Sequence, residues 1–471
     1  MDKTLEIILA LTIIGATLAF GGVQPITYSL VEAVLFLASL LLLLSQTRKG
    51  RIAVRLPLWP ILFVLMVGLQ VIPFPASAIA HLSPSRLQDL GVTGASHARE
   101  VWSTFSIFPH DTVVALLKFL AYLSAFVLAA YLFDSRKRKS ILLRALVLLA
   151  CFEGALLIVE YLTGWDKVFA FIPEYEREAT VGTYVNRNHF AGLLELIVPF
   201  VLAFAFYSFQ RGDKRRQVGG SEQTSRGNTP GGFQSVFYFF LAVVLMVALV
   251  FSMSRGAILA SLFSLIFMAL LAQLKVRQKA WMVGMFFVLL VMIGYGLWIG
   301  LDPLLARFEQ VREPGYLQLE GRIVLWKDAV RLVRDHPLVG TGLGTFGTAF
   351  RRYQTNFVDK HADHTHNDYL EFASETGLVG AALLFLPILY LLIRMIVSFL
   401  DDSRRYRRAV TLGCIGSTLA LLTHSVTDFN LQIPANALIF AVVLGIGYKA
   451  ACVEPREPAG GKQSAGQRDL L

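Results

Sequence analysis

Long apolar runs recur along the whole of this 471-residue chain, and many continue for about 20 residues with almost no charge. A run of this length lets a helix cross the hydrocarbon layer of a membrane. Only helices and closed barrels satisfy their backbone polar groups there, and barrel strands would alternate apolar with polar residues. These runs do not alternate. The sequence therefore predicts an all-α polytopic membrane protein, consistent with 55% hydrophobic and 16% charged residues.

The apolar runs predict about twelve transmembrane helices. Their ranges are 5–21, 26–46, 57–75, 113–133, 141–163, 189–208, 234–252, 257–273, 280–300, 376–397, 409–424 and 434–451. With this count, one long segment outside the cytoplasm remains, at 301–375.

Basic residues fix the orientation of these helices. Lys and Arg concentrate in short loops on the cytoplasmic side of membrane proteins. The basic clusters lie at 48–51, 136–139, 211–216, 275–279 and 404–408. With the N-terminus inside, all of them are cytoplasmic, and so are both termini. The formal charge of +10 thus reflects topology, and we expect no nucleic-acid partner.

Three parts follow along the chain. Residues 1–180 are predicted to form N-terminal transmembrane helices, residues 181–451 a transmembrane core that includes the outer segment 301–375, and residues 452–471 a disordered cytoplasmic tail. The stretch 212–232 is also polar and rich in Gly, Ser and Gln, so we expect it to be flexible.

The outer segment contains one amphipathic pattern. Apolar residues recur at helical spacing at Ile323, Trp326, Ala329, Val330 and Val333. This predicts a helix that ends near Asp335, before His336 and Pro337. Glycine-rich residues 340–347 follow as a turn region.

Arginine and histidine gather on the predicted outer side, where few arginines are expected. They are Arg187, His189, Arg255, Arg322, His361, His364, His366 and His424, together with Asp428. Arg255 lies in a very short turn between two apolar helices, where an unpaired Arg costs roughly 2.5 to 3.5 kcal/mol. Because a guanidinium clamps phosphate oxygens with two bonds, the cluster suggests an anionic lipid headgroup. Alternatively, Arg255 snorkels to a lipid phosphate or pairs with a carboxylate.

The outer histidines allow two chemistries. His361, His364 and His366 have a spacing that permits zinc binding, but no HExxH motif or cysteine pair accompanies them. We therefore expect no metal. A neutral imidazole can instead act as a general base near neutral pH, while His361 fits a surface histidine best.

Polar groups also lie at and inside the predicted helices. Asn186 to His189 stand at the outer mouth of the sixth span, as a helix cap or as part of a site. Glu195 follows about two turns further in. Lys118 has a similar predicted depth, which makes it a candidate partner for Glu195.

Three segments resemble a known family. They are GRIVLWKDAVRLVRDHPLVGTGLGTF (321–346), HTHNDYLEFASETGLVG (364–380) and HSVTDFNLQIPANA (424–437), which resemble the O-antigen ligase and polymerase family of bacterial envelope enzymes. The most specific feature is His366–Asn367, followed after nine residues by Gly377 and then Gly380. Ala381 stands where those ligases often have Thr, which weakens the ligase assignment specifically.

The resemblance implies a fold of the GT-C type and a metal-independent, inverting glycosyltransferase without a cofactor. The donor would be glycan on undecaprenyl diphosphate, and the acceptor another glycan or lipid A core. The enzyme would lie among the lipids of the bacterial inner membrane, with its active site facing the periplasm. Arg255 and Arg322 match diphosphate-binding positions, Arg187 matches a less uniform basic position, and His366 matches the proposed base. Possible supporting residues are His189, Glu195, His364, Asn367, His424 and Asp428.

Alternatives remain at this stage. Polymerase and ligase are not separated, and protein O-glycosylation is a third acceptor choice. A lipid-linked glycan flippase or other twelve-span transporter would also have a cationic cavity, although no matching halves are visible. A membrane scaffold would leave the clustered Arg and His unexplained.

Overall fold

The computed structural model describes residues 1–48, 57–90, 101–163, 181–218, 230–275, 319–355 and 362–454. These parts are mostly helical, which confirms the predicted class. The strand content described is a two-residue antiparallel pair, in which Phe74 faces Ser103 and Pro75 faces Trp102, and a bridge between Val181 and Tyr184.

The helices are numbered here in chain order. They are α1 (Asp2–Leu18), α2 (Pro25–Arg48), α3 (Leu58–Val71), α4 (Ala76–Leu82), α5 (Pro84–Asp89), α6 (Pro109–Leu132), α7 (Arg136–Thr163), α8 (Arg187–Val218), α9 (Pro230–Phe251), α10 (Arg255–Lys275), α11 (Leu319–Asp335), α12 (Phe346–Ala349), α13 (Asp368–Asp401), α14 (Arg405–His424) and α15 (Pro434–Tyr448). Short 3-10 turns lie at Phe20–Gly22, Phe350–Arg352 and Asn430–Gln432, and a π turn at Lys449–Val453 follows α15.

Within the described residues, eight helices are long and apolar enough to cross a membrane: α2, α6, α7, α8, α9, α10, α13 and α15. The chain is therefore a multi-pass membrane protein. Helices α1, α3 and α14 occupy three further predicted spans, but α1 and α3 are shorter and α14 begins with basic residues. The predicted span 280–300 lies outside the described residues.

Two helices form the centre of the bundle. Helix α8 packs against α7, α9, α10, α14 and α15, and α15 also contacts α1 and α6. Both are apolar all round, and a helix of that kind is stable only when other helices cover every face. The apolar residues from Phe190 to Phe206 are accordingly buried. The N-terminal helices thus pack directly onto the C-terminal core.

The predicted outer helix is present as α11 and ends at Asp335 as expected. Its buried face matches the prediction in part: Ile323 is 41% exposed, whereas the predicted Ala329 and, outside the pattern, Leu332 are fully buried. These two pack in a small cluster with Phe346 and Phe350 from the chain that follows. The pattern therefore predicted the helix and part of its buried face correctly, but not the exposure of Ile323 near its start.

Helix α13 begins earlier than the predicted span, so residues 368–375 are helical and not loop. Gly377 interrupts it with φ +65°. At this break the Leu378 N–H donates to the Pro337 carbonyl (2.8 Å), and the Thr341 N–H donates to the Ser374 carbonyl (3.0 Å). A Cβ on Gly377 would overlap the Leu338 carbonyl, which explains the glycine.

The break is held from a third side by Gln70 of α3. Its Nε2 donates to the carbonyls of Val339 (2.7 Å) and Glu375 (2.9 Å), and its Oε1 accepts from the Leu343 N–H (3.1 Å). The glycine-rich turn is thereby fixed against α13 beside the outer residues of that helix.

Two segments predicted to be flexible are described only in part. Helix α8 continues to Val218 and α9 begins at Pro230, so both ends of 212–232 are helical, contrary to the prediction. The stretch 219–229 and the tail after Glu454 lie outside the described residues.

Candidate active site

The site is built around the turn from His424 to Phe429, which follows α14. The backbone N–H groups of Thr427 (2.8 Å) and Asp428 (3.0 Å) both donate to the His424 carbonyl. This tight turn brings His424 and Asp428 together at the same end of the bundle.

Asp368, the first residue of α13, locks this turn in place. It is fully buried, and its Oδ2 accepts from the Ser425 hydroxyl (2.7 Å) and the Leu431 N–H (3.2 Å). Its own N–H donates to the Ser425 carbonyl (2.9 Å). Because His366 and Asn367 immediately precede Asp368, the clamp also brings them to the turn.

Asp428 and His366 form a dyad. The His366 Nδ1 and the Asp428 Oδ1 lie 3.2 Å apart, with the carboxylate side chain 1% exposed and the imidazole 34% exposed. Burial alone would raise the Asp428 pKa, but the hydrogen bond from His366 and the nearby histidines hold it below the usual range. An ionised Asp428 fixes the tautomer of His366 with Nδ1–H toward the carboxylate and leaves Nε2 as the free nitrogen.

His366 is also strained. Its φ is +52°, a left-handed conformation that residues with a Cβ rarely adopt. Such strain costs on the order of 1–3 kcal/mol and collects at functional sites, where the surroundings impose it. Here the Asp428 contact and the Asp368 clamp impose it.

Two further histidines surround the same carboxylate. The His189 Nε2 and the His424 Nε2 each lie 3.9 Å from the Asp428 Oδ2, beyond hydrogen-bond length. The His424 Nδ1 lies 3.0 Å from the Glu195 Oε1. All of these groups are buried. The predicted supporting residues His189, Glu195, His424 and Asp428 are thus in one cluster.

The candidate pairing of Lys118 with Glu195 does not form. The Lys118 Nζ lies over the Tyr28 ring, 4.0 Å from its centroid, on another side of the bundle core. Similar depth did not imply the same face, because Glu195 turns toward α14 and His424.

One of the three predicted arginines contacts the turn, and a second stands at the start of the helix that packs beside it. The Arg322 Nη1 donates to the Thr427 carbonyl (2.8 Å). Arg255 begins α10, and its neighbour Gly256 packs so closely on the turn that a Cβ there would come within 2.5 Å of the Thr427 Oγ1 and 3.0 Å of the His424 ring. Burial lowers the Arg322 pKa, and Asp428 offsets that effect. The guanidinium stays protonated because its ordinary pKa is so high.

Arg187 begins α8, two residues before His189. Asn186 serves as a cap there, since its Oδ1 accepts from the Asn188 N–H (2.8 Å). Arg187 therefore lies at the same end of the bundle as the cluster around Asp428.

His364 has a different environment from His366. Its Nδ1 lies 2.6 Å from the Glu371 Oε1, and its ring stacks on Phe429 with 4.1 Å between centroids. Burial by itself lowers the His364 pKa, but the Glu371 carboxylate overcomes this and raises it to about 9. His364 is thus an imidazolium at neutral pH and a poor base.

Asn367 has a structural role. Its side-chain oxygen accepts from the Leu370 N–H (3.1 Å) and caps α13. His361 lies outside the described residues. Among the side chains that the structure describes, no three His, Cys, Asp or Glu are grouped as metal ligands.

Three important residues escaped the sequence reasoning: Asp368, Glu371 and Phe429. The Phe429 ring contacts His364, His366 and His189, with the His366 and His189 ring centroids 4.9 and 4.7 Å away. The available signal was that carboxylates at positions 368 and 371 fall on the first turn of a helix directly after two histidines.

The fold and this site define a multi-pass helical membrane protein with a His–Asp dyad and arginines at one end of its bundle. Residues 240–385 match the family model described as O-antigen ligase. A segment of 107 residues is 29% identical to the exopolysaccharide production protein ExoQ of Rhizobium meliloti (strain 1021). That match covers 21% of this chain and spans 24% of the relative's length. The resemblance to the O-antigen ligase and polymerase family is thereby confirmed.

Proposed function

We propose that this chain is a glycosyltransferase that moves a glycan from undecaprenyl diphosphate to an acceptor hydroxyl. The observation that carries the proposal is the strained His366, which Asp428 holds beside the turn that Arg322 and the start of α10 contact. A base next to fixed guanidinium charges suits a reaction that removes a proton and releases a diphosphate.

The step is a single displacement. The acceptor oxygen attacks the anomeric carbon, and its proton passes to the His366 Nε2. The bond between that carbon and the diphosphate oxygen breaks, and the lipid diphosphate leaves with the electron pair. Because attack comes from the face opposite the leaving group, the anomeric configuration inverts.

Arg255 and Arg322, with Arg187, stabilise the negative charge on the leaving diphosphate. A guanidinium stays charged and binds phosphate with two parallel hydrogen bonds. In this proposal, these fixed charges replace a metal ion, and the enzyme needs no cofactor.

The proposed location is the bacterial inner membrane, with both termini cytoplasmic and the site facing the periplasm. This follows from the basic loops, which place the outer segment opposite to them. We assign residues 1–180 to N-terminal membrane helices, residues 181–451 to the catalytic core and residues 452–471 to a cytoplasmic tail.

The product is proposed to be a polysaccharide chain, so that polymerase is favoured over ligase. The relative is named for exopolysaccharide production, and its match supports that choice. Transfer to lipid A core is the second possibility, because the matching family model is described as a ligase.

Alanine variants of the two site histidines test the chemistry. His366→Ala should lose about 10²- to 10⁴-fold in turnover while keeping its donor, since it removes the base. His364→Ala should raise the KM for the acceptor by a larger factor than it lowers kcat. In this proposal the His364 imidazolium orients the acceptor and does not accept its proton. An active His366→Ala enzyme beside an inactive His364→Ala enzyme would contradict the assignment.

A further inference from the structure

Two buried amides lie next to the turn that carries the dyad, between α8 and α15. Asn430 lies in the 3-10 turn that follows Phe429, and Asn436 lies in the first turn of α15. Both side chains are fully buried. Gly192 of α8 makes room for them, because a Cβ there would overlap the Asn430 Oδ1 and the Asn436 Nδ2. The proposed reaction gives these amides no role.

The orientation of both amides follows from one backbone carbonyl. The His189 carbonyl can only accept, and it lies 2.8 Å from one end of the Asn436 side chain, so this end is the NH2 group. The same NH2 group lies 2.9 Å from Asn430, which therefore presents its Oδ1. The other end of Asn436 accepts from the Tyr184 hydroxyl (3.0 Å). The NH2 group of Asn430 then points to His424.

This NH2 group decides where the His424 ring carries its proton. The Asn430 Nδ2 lies 3.0 Å from the His424 Nδ1. An amide NH2 group only donates, so the Nδ1 accepts and has no proton of its own. The ring proton is then on Nε2, which lies 3.9 Å from the Asp428 Oδ2. In this tautomer His424 directs an N–H dipole to the carboxylate and leaves its full charge in place.

The same nitrogen decides the protonation state of Glu195. The Glu195 Oε1 lies 3.0 Å from the His424 Nδ1. Two acceptors repel each other at this distance, so the proton between them belongs to Glu195 as a carboxylic acid. A second observation agrees with this: the Glu195 Oε2 is buried and has no hydrogen-bond partner among the described residues. That position is very costly for an ionised carboxylate and much less so for a neutral acid.

We propose that Asn430 and Asn436, here called the amide relay, are positioning residues for the dyad. They keep Glu195 a neutral acid and His424 a neutral imidazole, with its N–H toward the carboxylate of the dyad. The charge of that carboxylate then remains available to His366 when this residue takes up a proton. The inference rests on the proposed role of His366 as the base and adds how its basicity is set.

Other charged or titratable groups also lie around the dyad, on each element that packs there. They are Arg187 and His189 of α8, Arg255 of α10, Arg322 of α11, and His364, Asp368 and Glu371 at the start of α13. The first turn of α15, residues 434–437, carries no charge. All of these groups are unchanged in the variants that follow, so a difference between the variants reports the amide relay.

The test measures how carbethoxylation of His366 by diethyl pyrocarbonate depends on pH, in the full-length protein in detergent without donor or acceptor. The reagent attacks unprotonated imidazole, and the His366 ring is 34% exposed, so the midpoint reports when this ring becomes a free base. Peptide mass spectrometry locates the modified ring. Asn430→Leu removes the NH2 donor at nearly constant size. The Glu195 proton should then pass to the His424 Nδ1, and the resulting imidazolium should move the midpoint to lower pH by about half a unit or more.

Glu195→Gln separates the two protonation states of Glu195. A glutamine NH2 group donates to the His424 Nδ1 as the neutral acid does, so this variant should keep the wild-type midpoint. In the double variant Asn430→Leu/Glu195→Gln, the midpoint should return to the wild-type value. The matched control is Ser417→Ala, which removes a buried hydrogen bond to the Leu196 carbonyl (2.6 Å) between the same two helices, α14 and α8, and should not move the midpoint.

Three results would overturn the proposal: an unshifted midpoint in Asn430→Leu, a midpoint moved to higher pH in Glu195→Gln, or a double variant that stays as low as Asn430→Leu. If Asn430→Leu does not fold, Glu195→Gln alone decides, because an ion pair of Glu195 with His424 predicts the rise and a neutral acid predicts none.

Glycan transfer is measured separately with the wild-type protein, so that the two proposals fail in different ways. The expected shift in Asn430→Leu, beside a wild-type protein that transfers no glycan, would refute the proposed reaction and leave the amide relay. An unshifted midpoint in Asn430→Leu, beside a wild-type protein that transfers glycan, would refute the amide relay alone.

Discussion

Replacing His366 by glycine and by alanine should separate the catalytic role of the imidazole from the stability that the strained backbone costs at this position. Both variants remove the imidazole, so both should lose about 10²- to 10⁴-fold in turnover. They differ in backbone strain at φ +52°. A left-handed conformation costs alanine roughly 1–2 kcal/mol and costs glycine almost nothing.

The unfolded chain offsets part of this difference. Glycine gives the unfolded state more conformational freedom, which lowers stability by about 0.4–1 kcal/mol relative to alanine. The strain is the larger effect, so His366→Gly should be more stable than His366→Ala by roughly 0.5–1 kcal/mol. The assay is equilibrium unfolding of the detergent-solubilised protein, with turnover measured on the same samples.

Lys327, exposed on α11, provides the control. In an ordinary right-handed helix, Lys327→Gly should be less stable than Lys327→Ala by about 1 kcal/mol, the opposite sign. If His366→Gly is no more stable than His366→Ala, the strained backbone is not a property of the folded protein. If His366→Gly keeps normal turnover, the imidazole is not the base.

Three further predictions concern the cations of the site. Arg255→Lys should lose roughly 10- to 100-fold in turnover because an ammonium cannot replace a two-bond guanidinium clamp, whereas the exposed Arg334→Lys should be nearly normal; full activity of Arg255→Lys would make Arg255 a lipid-anchoring residue. Incubation with EDTA should leave turnover unchanged, and a loss that a divalent ion restores would show a metal requirement. The bond between Glu371 and His364 raises the folded-state His364 pKa to about 9, so its stabilisation is full below about pH 6.5 and disappears as the pH rises through 9. The free energy of unfolding of Glu371→Gln should therefore be lower than that of wild type at pH 6 and approach it near pH 10. A difference between the two proteins that stays the same at every pH would refute the ion pair.

Much of the fold was predictable because membrane helices leave a strong apolar signal. Apolar periodicity predicted where the helices lie, including α11. It did not predict which face of a helix packs against the rest of the protein, as the exposed Ile323 and the contact of Lys118 with Tyr28 show. It also missed the early start of α13. That start depends on Asn367 as a cap and on Gly377 contacting a turn some 40 residues earlier, since a close backbone contact leaves no periodic pattern.

The candidate site was predictable where residues had an unusual place in the topology. Arginines and histidines on the predicted outer side stand out, and Arg322 and His366 were found there together with Asp428. The roles expected for Arg322 and His366 came from the family resemblance. Phe429 has no such signal, and for Asp368 the signal was only its place on the first turn of a helix after two histidines. Their importance comes from contacts between α13 and the turn after α14, which only the folded chain displays.

Product analysis with the purified full-length protein tests the central claim most directly. The enzyme, in vesicles, receives one lipid-diphosphate-linked glycan as donor and the same glycan on a lipid phosphate as acceptor. We expect the acceptor to gain the donor glycan with inverted anomeric configuration, and one lipid diphosphate to be released for each glycosidic bond. His366→Ala should bind the donor and release none. Intact donor after incubation of the active preparation, or donor moved across the vesicle membrane without a new glycosidic bond, would contradict glycosyl transfer and favour a transporter.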